Sequence, residues 1–128
     1  MPAAEELIAL NQKLLNAVIA EDWKTYEELC HPDLTCFEPE AHGHLVEGMA
    51  FHKFYFDLGA GSGPRNVTMT SPSVKFCGEN VAVVAYVRLT QKLDAAGNPT
   101  TNVTEESRVW QREGQRWRHV HFHRSAPG

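Results

Sequence analysis

The segment RHVHFHRS, residues 118–125, sets three histidines at alternate positions with an arginine just beyond the last. In a strand, residues i, i+2 and i+4 point to one side, so His119, His121 and His123 are expected to share a face. Zinc needs imidazole nitrogens within about 2.1 Å of the metal, whereas same-face neighbours stand roughly 6–7 Å apart. Three in a row do not converge on one ion, and a metal centre would need a ligand from another strand, such as Glu105 or Glu106. Spacing therefore favours imidazoles that form hydrogen bonds at a sheet surface or a subunit interface. No metal is expected.

The opposite face carries Val120, Phe122 and Arg124, an arginine continuing an apolar row. The same pattern recurs twice. Tyr86, Arg88 and Thr90 share a face in VAYVRLT, and Glu106, Arg108 and Trp110 share one in EESRVW. A guanidinium buried without partners is costly. If these faces line the concave side of one curved sheet, Arg88, Arg108 and Arg124 converge and demand carboxylates from the protein or from a ligand. Glu38, Glu40 and Glu106 are the candidates within the chain. The alternative is three arginines whose stems lie on the surface with their charged ends in water. His52, in FHKFYF, is a possible general base if its helix caps a pocket.

The elements that would position these groups follow from periodicity. EELIALNQKLLNAVIAED has Leu7, Leu14, Leu15, Val18 and Ile19 at helical spacing and predicts a helix from about Ala3 to Ala20. Trp23 to Leu29 forms a short second helix, ended at His31-Pro32-Asp33 because proline disfavours helix in the residue before it. LTCFE is a short strand and FEPEAHGHLVEG a polar loop. MAFHKFYFDL is a third helix, with Phe51, Phe54, Tyr55 and Leu58 on one side. GAGSGPRN is a flexible loop. From Val67 the period changes to two, and VTMTSPSVKF, VAVVAYVRLTQKL, NVTEESRVWQR and RWRHVHFHR read as four consecutive strands joined by turns. Helices followed by a meander of strands indicate an α+β fold, its helices on one face of a curved antiparallel sheet.

The 128 residues are expected to form one domain, with 42% hydrophobic and 22% charged residues. A net charge of −4 argues against binding to nucleic acid or an anionic membrane. Charge is uneven: up to Asp57 there are eleven acidic and three basic residues, and beyond it five and nine. Such halves can complement one another between copies. Cys30, Cys36 and Cys77 show no CxxC spacing, and with no leader or apolar run near 18 residues a reducing, cytoplasmic location is expected. No nucleophile elbow, phosphate loop or dinucleotide fingerprint is present, so no cofactor is expected.

TCFEPEAHGHLVEGMAFHKFYF, AYVRLTQKLDAAGNP, EESRVWQREGQRW and VHFHRS together resemble the association, or hub, domain of calcium/calmodulin-dependent protein kinase II. The resemblance runs over nearly the whole chain. It implies a nuclear transport factor 2-like cone, with a long helix and two short ones on a strongly curved sheet around a deep pocket. It implies self-assembly, dimers stacking as two rings of a dozen or more subunits. In the kinases the hub clusters catalytic domains so that they phosphorylate one another, an effective-concentration effect. Matching positions make Arg88, Arg108 and Arg124 the pocket arginines and His52 a lining residue, for a pocket that takes small carboxylates. Glu38 and Tyr86 complete the expected set.

The chain also departs from the pattern. It starts directly before the hub helix, so a kinase domain and a calmodulin-binding segment are not expected. GAGSGPRN replaces a loop that in the family carries a tryptophan able to close over the pocket. His119 stands where the kinases usually have another residue. The first expectation is an oligomerisation module with a carboxylate pocket. The second is a small-molecule isomerase or dehydratase of the same fold, acting on an anionic substrate with His52 or Glu38 as proton carrier. Against an enzyme, no carboxylate–histidine pair is evident at a revealing spacing, and three arginines would depress a nearby carboxylate. A third is co-assembly with the hubs of full-length kinases.

Overall fold

The computed structural model describes residues 3–59 and 63–126. Three helices come first: α1 (Ala3–Ile19), α2 (Trp23–Leu29) and α3 (Ala50–Leu58). The strands are β1 (Cys30–Phe37), β2 (Val46–Glu47), β3 (Arg65–Phe76), β4 (Val81–Leu93), β5 (Pro99–Glu113) and β6 (Arg116–Ser125). They form one sheet in the order β2-β1-β6-β5-β4-β3. All pairings are antiparallel except β1 with β6, which is parallel; β2, α3 and β3–β5 supply the long connection that such a pair requires. The loop expected over FEPEAHGHLVEG contains a short 3-10 turn, Pro39–Ala41, and β2. Of the loop GAGSGPRN, residues 60–62 lie outside the described residues, and Arg65 and Asn66 already belong to β3.

Helix α1 buries Leu7, Asn11, Leu14 and Leu15, the i, i+4, i+7, i+8 stripe, against the sheet at β3 and β4. Each such leucine stabilises the fold by roughly 1.5–3 kcal/mol relative to exposure. Asp22 caps α2 by accepting from the Thr25 amide. The inner rows of the strands supply Leu34, Cys36, Ala82, Val84, Trp110 and Phe122 to the same core. The sheet curls around the helices because its ladder breaks in three places. These lie between Thr70 and Ser73 on β3, where Ser71 takes φ 48°, between Cys30 and Thr35 on β1, and between Val109 and Trp110 opposite β6.

The third break corrects the expected facing of the histidines. Val109 pairs with His121 and Trp110 with His119, so Val120 is an extra residue on β6. A one-residue insertion reverses the side on which every earlier side chain of the strand emerges. His121 and His123 remain on the convex face, and His119 turns inward and is fully buried. The three histidines do not share a face, and His119 is not a surface group.

Candidate functional site

Register carries the arginines to one place. Tyr86 of β4 pairs with Glu106 of β5, which pairs with Arg124 of β6, and two residues along the strands Arg108 faces Phe122. Arg88, Arg108 and Arg124 line a cavity of about 250 Å³ with Glu38, Glu40 and His52. Val18, Tyr26, Tyr55, Phe56 and Phe122 make its apolar walls. Tyr86 lies behind this lining, donating its hydroxyl to Glu106 and accepting from Arg108 Nε at 2.8 Å.

The arginines are matched by carboxylates of the chain itself. Glu106 has no exposed side-chain surface and receives Arg88 Nη1 at 3.0 Å, Arg108 Nη2 at 2.9 Å and the Thr104 hydroxyl at 3.3 Å. Burial alone would raise its pKa, but Arg108, Arg88 and the Tyr86 hydroxyl hold it at about 2. Arg124 Nη2 donates to Glu38 at 3.3 Å and also to Glu40, at the entrance to the cavity. Burial also works against Glu40, yet the Arg124 hydrogen bond and charge prevail and lower its pKa. Glu38 goes the other way. Its deeper burial outweighs Arg124 and raises its pKa, contrary to the expectation that the arginines depress every neighbouring carboxylate.

His52 sits on α3 with Nε2 3.7 Å from Cys36 Sγ and Nδ1 4.0 Å from Glu38 Oε1. A carboxylate–histidine pair is thus present, although nothing in the spacing of residues 38 and 52 announced it. Burial first, then Arg108 and Arg124, push the His52 pKa down to about 4, so its imidazole is neutral near pH 7. Cys36, Glu38 and His52 offer ligand atoms within 4.8 Å of one another. Arg108 and Arg124 face that trio, and Glu38 is already engaged by Arg124, so the local field opposes a divalent cation. The Cys36 thiol, pushed up to about 12 mainly by burial, is not a nucleophile at neutral pH.

Two contributions were missed in the sequence. The apolar walls from α2 and α3 carry no signal beyond ordinary helical periodicity. His119 reaches Arg108 Nη1 at 3.4 Å through its Nε2, a contact created by the bulge at Val120.

A curved sheet wrapped on a long helix, with polar groups gathered where the concave face opens, is the nuclear transport factor 2-like fold. A solved protein of that superfamily from Salmonella enterica covers 97% of this chain and 90% of its own, with TM-score 0.76 and 21% identity, and so shows the fold alone. The family model for the calcium/calmodulin dependent protein kinase II association domain matches residues 3–128, and the chain belongs to that family. The hub homology domain from Chlamydomonas reinhardtii superposes with TM-score 0.94 at 47% identity, covering 98% of this chain and 99% of that one. The association domain of the Caenorhabditis elegans kinase gives TM-score 0.92 at 46% identity, covering 97% and 95%. The type II alpha chain of Drosophila melanogaster is 47% identical over 124 residues, 95% of this chain and 23% of that protein. The chain therefore spans about a quarter of the curated relatives it matches. Its family is an association domain, an oligomerisation module rather than a catalytic one. No helix among the described residues is long and apolar enough to cross a membrane.

Proposed function

We propose that the chain is a self-assembling hub whose copies pair back to back and close into a ring of stacked dimers. The observation that carries this reading is a pair of separate apolar surfaces. On β4 the inner residues Ala82, Val84 and Tyr86 are buried, while Val81, Val83, Ala85, Val87 and Leu89 form a row of half-buried apolar groups on the convex face. On α3, Phe54 and Leu58 are 60% and 65% exposed, beside Tyr55. A monomer rarely leaves two such surfaces open. One self-complementary face gives dimers, and a second contact between dimers gives a closed ring. The cavity of Arg88, Arg108, Arg124, His52 and Glu38, backed by Tyr86, holds a small carboxylate or a carboxylate-bearing segment of a partner. Co-assembly with the hubs of full-length kinases in the cytoplasm follows from the same surfaces. Light scattering on the purified protein tests the assembly: a 14.4 kDa species at micromolar concentration would overturn it. Exchange of labelled subunits with a kinase hub tests co-assembly.

A further inference from the structure

His119 occupies the concave side only because Val120 bulges, and once there both of its ring nitrogens have partners. Nε2 lies 3.4 Å from Arg108 Nη1 and Nδ1 lies 3.5 Å from Cys30 Sγ. A guanidinium donates and never accepts, so Nε2 is the acceptor. The proton then sits on Nδ1 and points at the Cys30 sulfur. The ring is stacked on Phe122, with centroids 5.5 Å apart and planes at 22°, and rests against Trp110 at 5.3 Å. Phe122 in turn lies beneath the guanidinium of Arg108, 4.3 Å from its central carbon.

Every side-chain nitrogen of Arg108 has a partner. Nε and Nη2 go to Glu106 and Tyr86, and Nη1 goes to His119. We propose that His119 is a positioning residue for the cavity: as a neutral acceptor it fixes the Nη1 corner of Arg108 and so sets the plane of the guanidinium that a bound carboxylate meets. The ligand half of this inference rests on the carboxylate reading above. Losing the acceptor leaves that corner unpartnered in a side chain only 3% exposed, and the planar group is free to tilt on Phe122.

Nitrogen-15 spectra of labelled imidazole, with benzoate as the probe carboxylate, test it. The expected spectrum at neutral pH shows His119 protonated on Nδ1 and bare on Nε2. His119→Leu is expected to weaken benzoate binding about tenfold, with assembly mass and circular dichroism unchanged. His119→Asn, whose amide oxygen accepts from Arg108, is expected to stay within about threefold of wild type. An imidazolium, a proton on Nε2, or a leucine variant that binds benzoate like wild type would overturn the proposal. If His119→Leu fails to fold, the wild-type spectrum and the asparagine rescue still decide. If the wild type binds no benzoate, the carboxylate reading falls and takes the ligand half with it, while the spectrum still decides whether His119 accepts from Arg108.

Discussion

Asn11 of α1 accepts from the indole Nε1 of Trp110 at 3.0 Å, and both side chains are completely buried. The amide nitrogen of Asn11 faces the Met69 sulfur at 3.1 Å, so one polar residue ties the long helix to β5 and to the edge strand β3. An asparagine among leucines fixes the rotation and depth of α1, because its amide oxygen is the acceptor for a buried indole N–H that leucines could not satisfy.

Replacing Asn11 with leucine preserves apolar volume and strands that indole. Asn11→Leu is expected to lower stability by about 2 kcal/mol, the cost of an unsatisfied buried donor. Urea unfolding at neutral pH measures it; an unchanged midpoint would show that the bond is dispensable.

Glu106 is the common acceptor for two arginines and a tyrosine, and its removal leaves buried cations behind. Glu106→Gln is expected to cost about 3 kcal/mol, whereas Glu47→Gln on the exposed side of β2 should cost nothing measurable. Because its carboxylate is held at about 2 when folded, its contribution is present above 4.5 and is lost as pH falls toward 2. Parallel denaturation curves for the two variants check the contrast.

Two buried neutral imidazoles make the fold sensitive to mild acid. Unfolded histidine titrates near 6.5, while folded His52 is pushed down to about 4 and His119 well below its ordinary value, in both cases chiefly by burial and then by Arg108. Below 6.5 the unfolded chain therefore binds protons that the folded chain refuses. Stability is expected to be flat above that pH and to fall below it by up to about 1.4 kcal/mol per pH unit for each imidazole. Denaturant midpoints between about pH 7.5 and 5 follow the slope, and His52→Gln should reduce it by less than half, because His119 remains and partial burial lowers His121 as well.

The two apolar surfaces are expected to fail separately. Val87→Glu on the convex face and Leu58→Glu on α3 should each give a folded protein of at most half the wild-type mass, and the two products should differ in size. Light scattering with circular dichroism reads both. If either variant keeps the wild-type mass, that surface is not an interface.

Much of this architecture was legible in residue order. Leucine spacing marked α1, the short second helix was read over Trp23 to Leu29, and the change from period 3.6 to period two located β3 to β6, because local periodicity reports which side of an element is buried. Arg88, Arg108 and Arg124 were visible for the same reason: a charge repeated within apolar rows implies an interior that supplies counter-charges. Glu38, Glu40 and Glu106 were identified as the possible counter-charges, but their division was not. Which carboxylate serves which arginine depends on strand register.

The chain by itself therefore determined its helices and long strands, their inward faces over most of their length, and the class of side chain at the cavity; β2 and the 3-10 turn within FEPEAHGHLVEG were not among them. Only the tertiary structure decided the parallel pairing of β1 with β6, the approach of Glu38 to His52 and the inward turn of His119. The first two depend on chain segments distant in sequence. The third depends on a single extra residue, Val120, whose insertion is a property of the β5–β6 ladder and not of either strand alone. RHVHFHR alternates perfectly as written; paired with β5, it does not.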